Sequence, residues 1–182
     1  MEERVTEFTY RPVSDKRRAL PLFFALLFAS AIFVAASAFI PKYKGVVSLV
    51  GMLILCGAVL TFTRYYVAEF IYSVVVNNEG DALFVVTRIT GKRESAMCTL
   101  PIYSILTVEY KSGRDAKSYK PDSVSKKYNF IPDFNPEAFF VIFAKERGVS
   151  SEIKIYGTPE LAERLKEYSL IERERKLRDD TE

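Results

Sequence analysis

The chain has 182 residues, of which 49% are hydrophobic and 27% charged, and its formal net charge is +3. It contains no histidine, which excludes the catalytic triads that use an imidazole base and most zinc sites. Its eight glycines form neither a phosphate-binding loop nor a dinucleotide fingerprint. We therefore expect a non-enzymatic protein with no catalytic residues, no cofactor and no metal site.

Two stretches without any charged residue dominate the first part of the chain, at 19–40 and 45–63. At the helical rise per residue they reach roughly 33 and 28 Å. Because the hydrocarbon core of a bilayer is about 30 Å thick, each stretch is long enough to cross it. The sequence predicts a first transmembrane helix at 19–40 and a second at 45–65, after an N-terminal segment at 1–18.

Residues 41–44 separate the two stretches and predict a turn outside the bilayer. Pro41 removes a backbone donor and ends the first helix, while Lys42 and Lys44 keep the turn in water. Backbone groups must be satisfied internally in hydrocarbon, so the chain can reverse only beyond it. This pattern is typical of a tight transmembrane hairpin.

Cations flank the hairpin on the side away from the turn, at Lys16, Arg17, Arg18 and Arg64. By the positive-inside tendency, both termini are expected in the cytoplasm. One alternative is a signal peptide cleaved after the small residues Ala36-Ser37-Ala38. Its apolar run would exceed the usual length of about 7–15 residues.

The cytoplasmic part, predicted at 66–171, begins with segments rich in β-branched and aromatic residues, which are typical of strands. They are EFIYSVVVN (69–77), ALFVVTRIT (82–90), ESAMCTLPI (94–102) and SILTVEY (104–110). An irregular stretch follows at 111–137. AFFVIFAKE (138–146) and SSEIKIYG (150–157) then predict a hairpin around Arg147-Gly148.

A helix is predicted to close the domain. Thr158 suits the N-cap and Pro159 the first turn, while Leu161, Leu165 and Tyr168 share one face at helical spacing. Residues 172–182 are predicted to form a polar tail, a solvated continuation of the helix that buries nothing except Leu177.

Strands in succession followed by one amphipathic helix resemble a pleckstrin-homology-like (PH-like) domain. With its hairpin, EFIYSVVVNNEGDALFVVTRITGKRE and IYGTPELAERLKEY, the chain is similar to an uncharacterised bacterial family of two-pass membrane proteins. The resemblance implies an α+β chain: a two-helix transmembrane hairpin, then a mainly antiparallel PH-like sheet or barrel capped by the C-terminal helix. It also implies the bacterial cytoplasmic membrane, but no activity. Another small α+β topology is the alternative.

The best candidate for direct binding is a set of basic residues within 111–127, opposed only by Asp115 and Asp122. Its members are Lys111, Arg114, Lys117, Lys120, Lys126 and Lys127, interleaved with Tyr119, Tyr128 and Phe130. Near an anionic leaflet each cation would contribute about 1 kcal/mol. A solvated loop is the simpler interpretation. Nucleic acid is disfavoured because the part from Arg64 onward has equal numbers of basic and acidic residues.

We therefore expect a membrane-anchored protein whose PH-like domain binds an unidentified protein partner as a scaffold. Contact of the basic residues with anionic lipid headgroups is the alternative. Small residues in the apolar stretches, such as Gly51 and Ala58, are expected to pack the two helices together, or else to form a homo-oligomer. The carboxylates of Asp133 and Glu137 are expected in solvent rather than in a catalytic pair.

Overall fold

The structure is a computed structural model that describes residues 5–13, 16–78, 80–112, 124–134 and 136–179. Two α-helices follow the first strand, and a third ends the described part of the chain. The helices are α1 (Leu20–Ala36), α2 (Lys44–Phe62) and α3 (Pro159–Asp179). The strands are β1 (Val5–Tyr10), β2 (Ala68–Val76), β3 (Ala82–Thr90), β4 (Arg93–Pro101), β5 (Ile105–Ser112), β6 (Lys126–Asn129), β7 (Ala138–Glu146) and β8 (Val149–Ile155).

The described residues divide into two compact units. The β unit comprises the residues up to Val13, Phe70–Ile131 and those from Pro136 onward, and so includes α3. The helical unit runs from Lys16 to Glu69 and includes 132–134. The prediction of an α+β chain with a C-terminal helix is confirmed.

The first sheet has the strand order β1-β2-β3-β4. β1 pairs antiparallel with β2, so that Val5 lies opposite Val76 and Tyr10 opposite Tyr72. β1 falls within the N-terminal segment 1–18, for which the sequence predicted no strand. In sequence, the entire helical hairpin is therefore inserted between two neighbouring strands of one sheet.

The second sheet has the order β5-β7-β8-β6, and its fourth strand is parallel to its neighbour. β6 lies within 111–137, so the prediction that this whole stretch is irregular is wrong. The β7–β8 hairpin is confirmed, with Glu146 opposite Val149. Its two turn residues, Arg147 and Gly148, have φ values of 47° and 80°, as a two-residue type I′ turn requires.

The core of the β unit is built from alternate residues of both sheets, because successive side chains of a strand point to opposite faces. Tyr72, Phe84 and Ile153 are among its fully buried members, and Leu161 and Leu165 of α3 close over it. The Tyr72 hydroxyl donates to the Phe130 carbonyl at 2.8 Å and accepts from the Tyr156 N–H at 3.3 Å. This hydroxyl therefore ties β2 to the segments after β6 and β8.

The last part of α3 contacts the β unit, so the prediction that 172–182 buries only Leu177 is wrong. Glu172 is buried, whereas Leu177 is 67% exposed. Arg175 donates to the Gly80 carbonyl at 2.6 Å, and the Lys176 ammonium lies 4.6 Å from the Tyr103 ring centroid. Long cationic side chains thus hold this part of the helix against the loops.

The helical unit differs from the predicted spans at the turn. α1 ends at Ala36 because Ala38 and Phe39 donate to carbonyls three residues back, and Ile40 is non-helical, as a residue before proline tends to be. The reversal therefore lies at 37–40. Residues 41–43 form a 3₁₀ turn and Lys44 already begins α2.

Hydroxyl groups on the two helices bond to backbone carbonyls. Ser30 of α1 donates to the Gly51 carbonyl of α2 at 2.9 Å, and Thr61 donates to the Gly57 carbonyl at 2.8 Å. Ser30 and Gly51 are both buried at the contact between the helices. The predicted role of Gly51 in packing the two helices together is confirmed.

By length and composition, one helical segment of the described residues, Pro41–Val67, could cross a membrane. Only 11% of its most apolar window is buried. The other apolar helix, Leu20–Ala36, has 17 residues and is shorter than the 22-residue span that the sequence predicted.

We expect Gly51→Ala to destabilise the helical unit by about 1–3 kcal/mol, because overpacking a close contact displaces its neighbours. An added Cβ would lie 3.0 Å from the Val34 Cγ2 and 3.3 Å from the Ser30 carbonyl oxygen. Thermal unfolding followed by far-UV circular dichroism measures the effect. Gly57→Ala is the matched control, since nothing lies within 4 Å of its Cβ. Equal melting of both variants would contradict the close contact.

We expect Tyr72→Phe to lower the free energy of unfolding by about 1–3 kcal/mol, because it leaves buried polar groups without the hydroxyl. Tyr110→Phe, at an exposed tyrosine of β5, should change it by much less. Thermal unfolding followed in the near ultraviolet, where the tyrosines absorb, makes the comparison. A Tyr72→Phe protein as stable as the Tyr110→Phe protein would remove the structural role of the hydroxyl.

Candidate functional site

Among the predicted basic residues that the structure describes, Lys111 lies apart from Lys126 and Lys127. Lys111 lies at the end of β5, whereas Lys126 and Lys127 begin β6. β5 and β6 are opposite edges of a four-stranded sheet, about 14 Å apart at the usual strand spacing. Arg114, Lys117 and Lys120 lie outside the described residues.

Other side chains of the same stretch belong to the interior. Phe130 is buried, and its ring centroid lies 5.9 Å from those of Tyr128 and Phe70. Tyr128 and Phe130 thus pack in or against the core. Asp133 is also buried, in the helical unit, so the expectation that it lies in solvent is wrong.

One candidate site is a groove between β5 and α3. β7 occupies one edge of β5, and no strand pairs with the other edge in the described part of the chain. The groove has a volume of about 210 Å³ and is lined by residues 105–108 of β5 and by Lys166, Ser169, Leu170 and Arg173 of α3. It therefore offers both a strand edge and a helix face.

Exposed apolar side chains and a fixed guanidinium shape this groove. Leu106 is 44% and Leu170 60% exposed. The Arg173 guanidinium donates to the Tyr103 carbonyl at 3.1 Å and also to the Ile105 carbonyl. Arg173 thereby holds α3 to the start of β5, which keeps the two leucines beside one groove.

A second candidate site is a cavity of about 320 Å³ between β4, β6 and the β7–β8 hairpin. Ala144 and Ser151 lie directly opposite each other on β7 and β8. Both line the cavity, where bulkier side chains would fill the space. Lys126 also lines it, whereas the adjacent Lys127 does not, as expected from alternation along a strand.

The cavity contains the half-buried thiol of Cys98, which is free, as is Cys56. Burial raises the pKa of the Cys98 thiol, and the nearby Glu146 carboxylate raises it further. The thiol therefore stays protonated at neutral pH and reacts slowly, since the thiolate is the nucleophile. In the described ranges, no three acidic, cysteine or histidine side chains come together as a metal site.

Sequence reasoning missed both sites. The groove exists because β5 is an edge strand of the second sheet. The order of strands along the chain does not reveal which strand is at the edge. The cavity had one visible signal. Ala144 and Ser151 are small residues at positions where alternation expects core side chains, on the two strands of the predicted hairpin.

We expect Glu146→Gln to lower the pKa of Cys98, although burial keeps it above the usual thiol value. Alkylation of Cys98 at neutral pH should then be faster, because a larger fraction is thiolate. The rate is measured against pH in a Cys56→Ser background. Glu94→Gln, the same charge change on the exposed part of β4, should leave the profile in place. An unchanged profile for Glu146→Gln would contradict the electrostatic effect.

Comparison of the chain with protein-family models, curated proteins and solved structures found no match.

Proposed function

We propose that the chain is a non-enzymatic membrane protein whose helical hairpin anchors a cytoplasmic PH-like domain, and that this domain binds a protein partner along β5. The observation that carries the proposal is the groove beside β5, where a strand edge and two exposed leucines meet. The succession of two sheets and a C-terminal helix supports the PH-like description.

The exposure of the helical hairpin supports its place in a bilayer. Phe28 of α1 is 70% exposed and Leu60 of α2 equally so. Helices that are apolar on nearly every side are suited to lipid. The hydroxyls of Ser30 and Thr61 bond to carbonyls, as hydrocarbon requires.

The pairing of β1 with β2 supports two crossings rather than one. β1 precedes α1 and β2 follows α2, yet both belong to one sheet. A single crossing through Pro41–Val67 would leave the two strands on opposite sides of the bilayer. If the second segment spans the membrane, the 17-residue α1 must span it too. A helix somewhat shorter than the bilayer does so by local thinning, at modest cost.

A free strand edge beside a helix suits an extended peptide, which adds a strand through its main chain and places alternate side chains in the groove. An apolar side chain of the peptide would lie between Leu106 and Leu170. Lys166 lines the groove and Lys111 lies farther along β5, and neither has an ion pair among the described residues. The partner is therefore an extended segment with apolar and acidic residues.

The lipid alternative has less support, because Lys111 and Lys126 lie at opposite edges of the second sheet. Lys126 and Lys127, as neighbours on a strand, face opposite ways. Binding of anionic vesicles that the Lys126→Glu and Lys127→Glu double variant abolishes, and added salt weakens, would favour it over peptide binding.

We expect purified full-length protein to select extended peptides with an apolar and an acidic residue from a displayed random library. Leu106→Asp or Leu170→Asp should weaken binding of the selected peptides at least about tenfold, or about 1.4 kcal/mol, since each removes apolar contact and adds like charge. Binding is measured by fluorescence anisotropy.

Leu177→Asp is the matched control, because Leu177 is an exposed leucine of the same helix that does not line the groove. It should bind the peptides as the unaltered protein does. Methylation of alternate peptide N–H groups should abolish binding if the peptide adds a strand. Peptides that bind the Leu106→Asp and Leu170→Asp proteins undiminished would refute the groove.

A further inference from the structure

The cavity beside β6 lies at a gap between the two sheets. β4 and β6 are each the last strand of their sheet, and no strand joins them in the described residues. The opposed small residues Ala144 and Ser151 widen the gap. At about 320 Å³, the cavity is within the usual range for small-molecule sites, which begins near about 300 Å³.

The lining of this cavity changes from apolar to charged. Leu100 and Ile153 are buried core residues and form its apolar part. The hydroxyl-bearing Ser151 and Tyr128 also line it. Lys126 and Arg147, which are exposed, bring positive charge to it. A few polar groups around an apolar interior are typical of sites that orient a small ligand.

The two cations have no anionic partner among the described residues. Neither Lys126 nor Arg147 has a carboxylate within 4.0 Å there, whereas Lys176 approaches Asp81 at 3.6 Å. Arg147 is also a non-glycine residue with φ of 47°, a conformation that is uncommon and that glycine or asparagine adopts more easily. Arg147 thus occupies a turn position that is unfavourable for its residue type, and from there it brings its positive charge to this cavity.

We propose that this cavity binds a small amphipathic anion, a carboxylate or phosphate monoester on a short apolar body. The anionic group contacts Lys126 and Arg147, and the apolar body lies against Leu100 and Ile153. The Glu146 carboxylate lines the same cavity and partly offsets the positive charge, so contact with both cations is needed to hold the anionic head. This site is separate from the groove beside β5 and does not depend on peptide binding there.

Cys98 reports occupancy directly, because its thiol lines the cavity. The experiment uses full-length Cys56→Ser protein in lipid nanodiscs and measures the alkylation rate of Cys98 by N-ethylmaleimide. Octanoate and hexyl phosphate, the two probes, should slow alkylation saturably. Octanol tests the apolar body alone and inorganic phosphate the charge alone, and neither should protect at the same concentrations. If only one of the two probes protects, the site prefers that probe's head group, carboxylate or phosphate.

Charge reversal at the cavity distinguishes binding at this site from general partitioning of the probes into lipid. Lys126→Glu with Arg147→Glu should raise the half-protecting concentration at least about fivefold, since one contact pair of charges contributes about 1 kcal/mol even in water. Lys127→Glu, the same change one residue along, should leave it unchanged. Both altered lysines are exposed, and far-UV circular dichroism verifies that each variant is folded.

Three results would overturn the proposal: no protection by either probe, equal protection by octanol, or the same loss of protection in Lys127→Glu. Leu106→Asp and Leu170→Asp should leave protection intact. Failure of peptide binding and failure of anion binding are therefore observed separately.

Discussion

The pairing of β1 with β2 is the constraint on which the rest of the molecule depends. Residues 5–10 and 68–76 are neighbours in one sheet although about sixty residues of helical hairpin separate them. Their hydrogen bonds bring the chain before the hairpin and the chain after it into one sheet. The pairing also disfavours signal-peptide cleavage near Ala36, because cleavage would separate β1 from the rest of the chain.

The second sheet has two different edges, and each has its own surroundings. β5 lies beside α3, where leucines and a strand edge face a narrow groove. β6 lies beside the end of β4, where small residues leave a cavity with two cations. The β7–β8 hairpin lies between these edges, and five consecutive residues of β7, 140–144, are buried. It separates two surfaces whose chemistry suits a peptide at one and a small anion at the other.

The sequence correctly predicted the secondary-structure elements that are determined by their own residues and their immediate neighbours. β3 and β7 have the predicted bounds, 82–90 and 138–146, because each is a continuous β-branched and aromatic run between turn residues. The Arg147-Gly148 turn and the helix after Thr158 carry their own signals, as do the two apolar helices. The first helix was predicted to end at residue 40, but α1 ends at Ala36. Residues 37–39 form a turn, and Ile40 is non-helical ahead of Pro41.

The missed features depend on partners far along the chain. β1, VTEFTY, has only weak alternation within a charged segment, and its partner begins about sixty residues later. β6 has four residues and owes its existence to β8, to which it is parallel. The basic residues looked like one patch because they are close in sequence, yet the sheet places Lys111 and Lys126 on opposite edges. Strand order, which no local pattern encodes, decided both candidate sites.

The insertion of the hairpin between adjacent strands has a practical consequence. Tyr10 and Tyr72 face each other across the pair, so β1 ends beside a residue of β2 that lies four positions after β2 begins. A connector of glycine and serine from Tyr10 to β2 could replace the apolar insert, giving a shorter chain that keeps all eight strands of the described residues. A truncated chain that starts after the second helix would lose β1 and leave β2 as an unpaired edge strand, which is prone to aggregation.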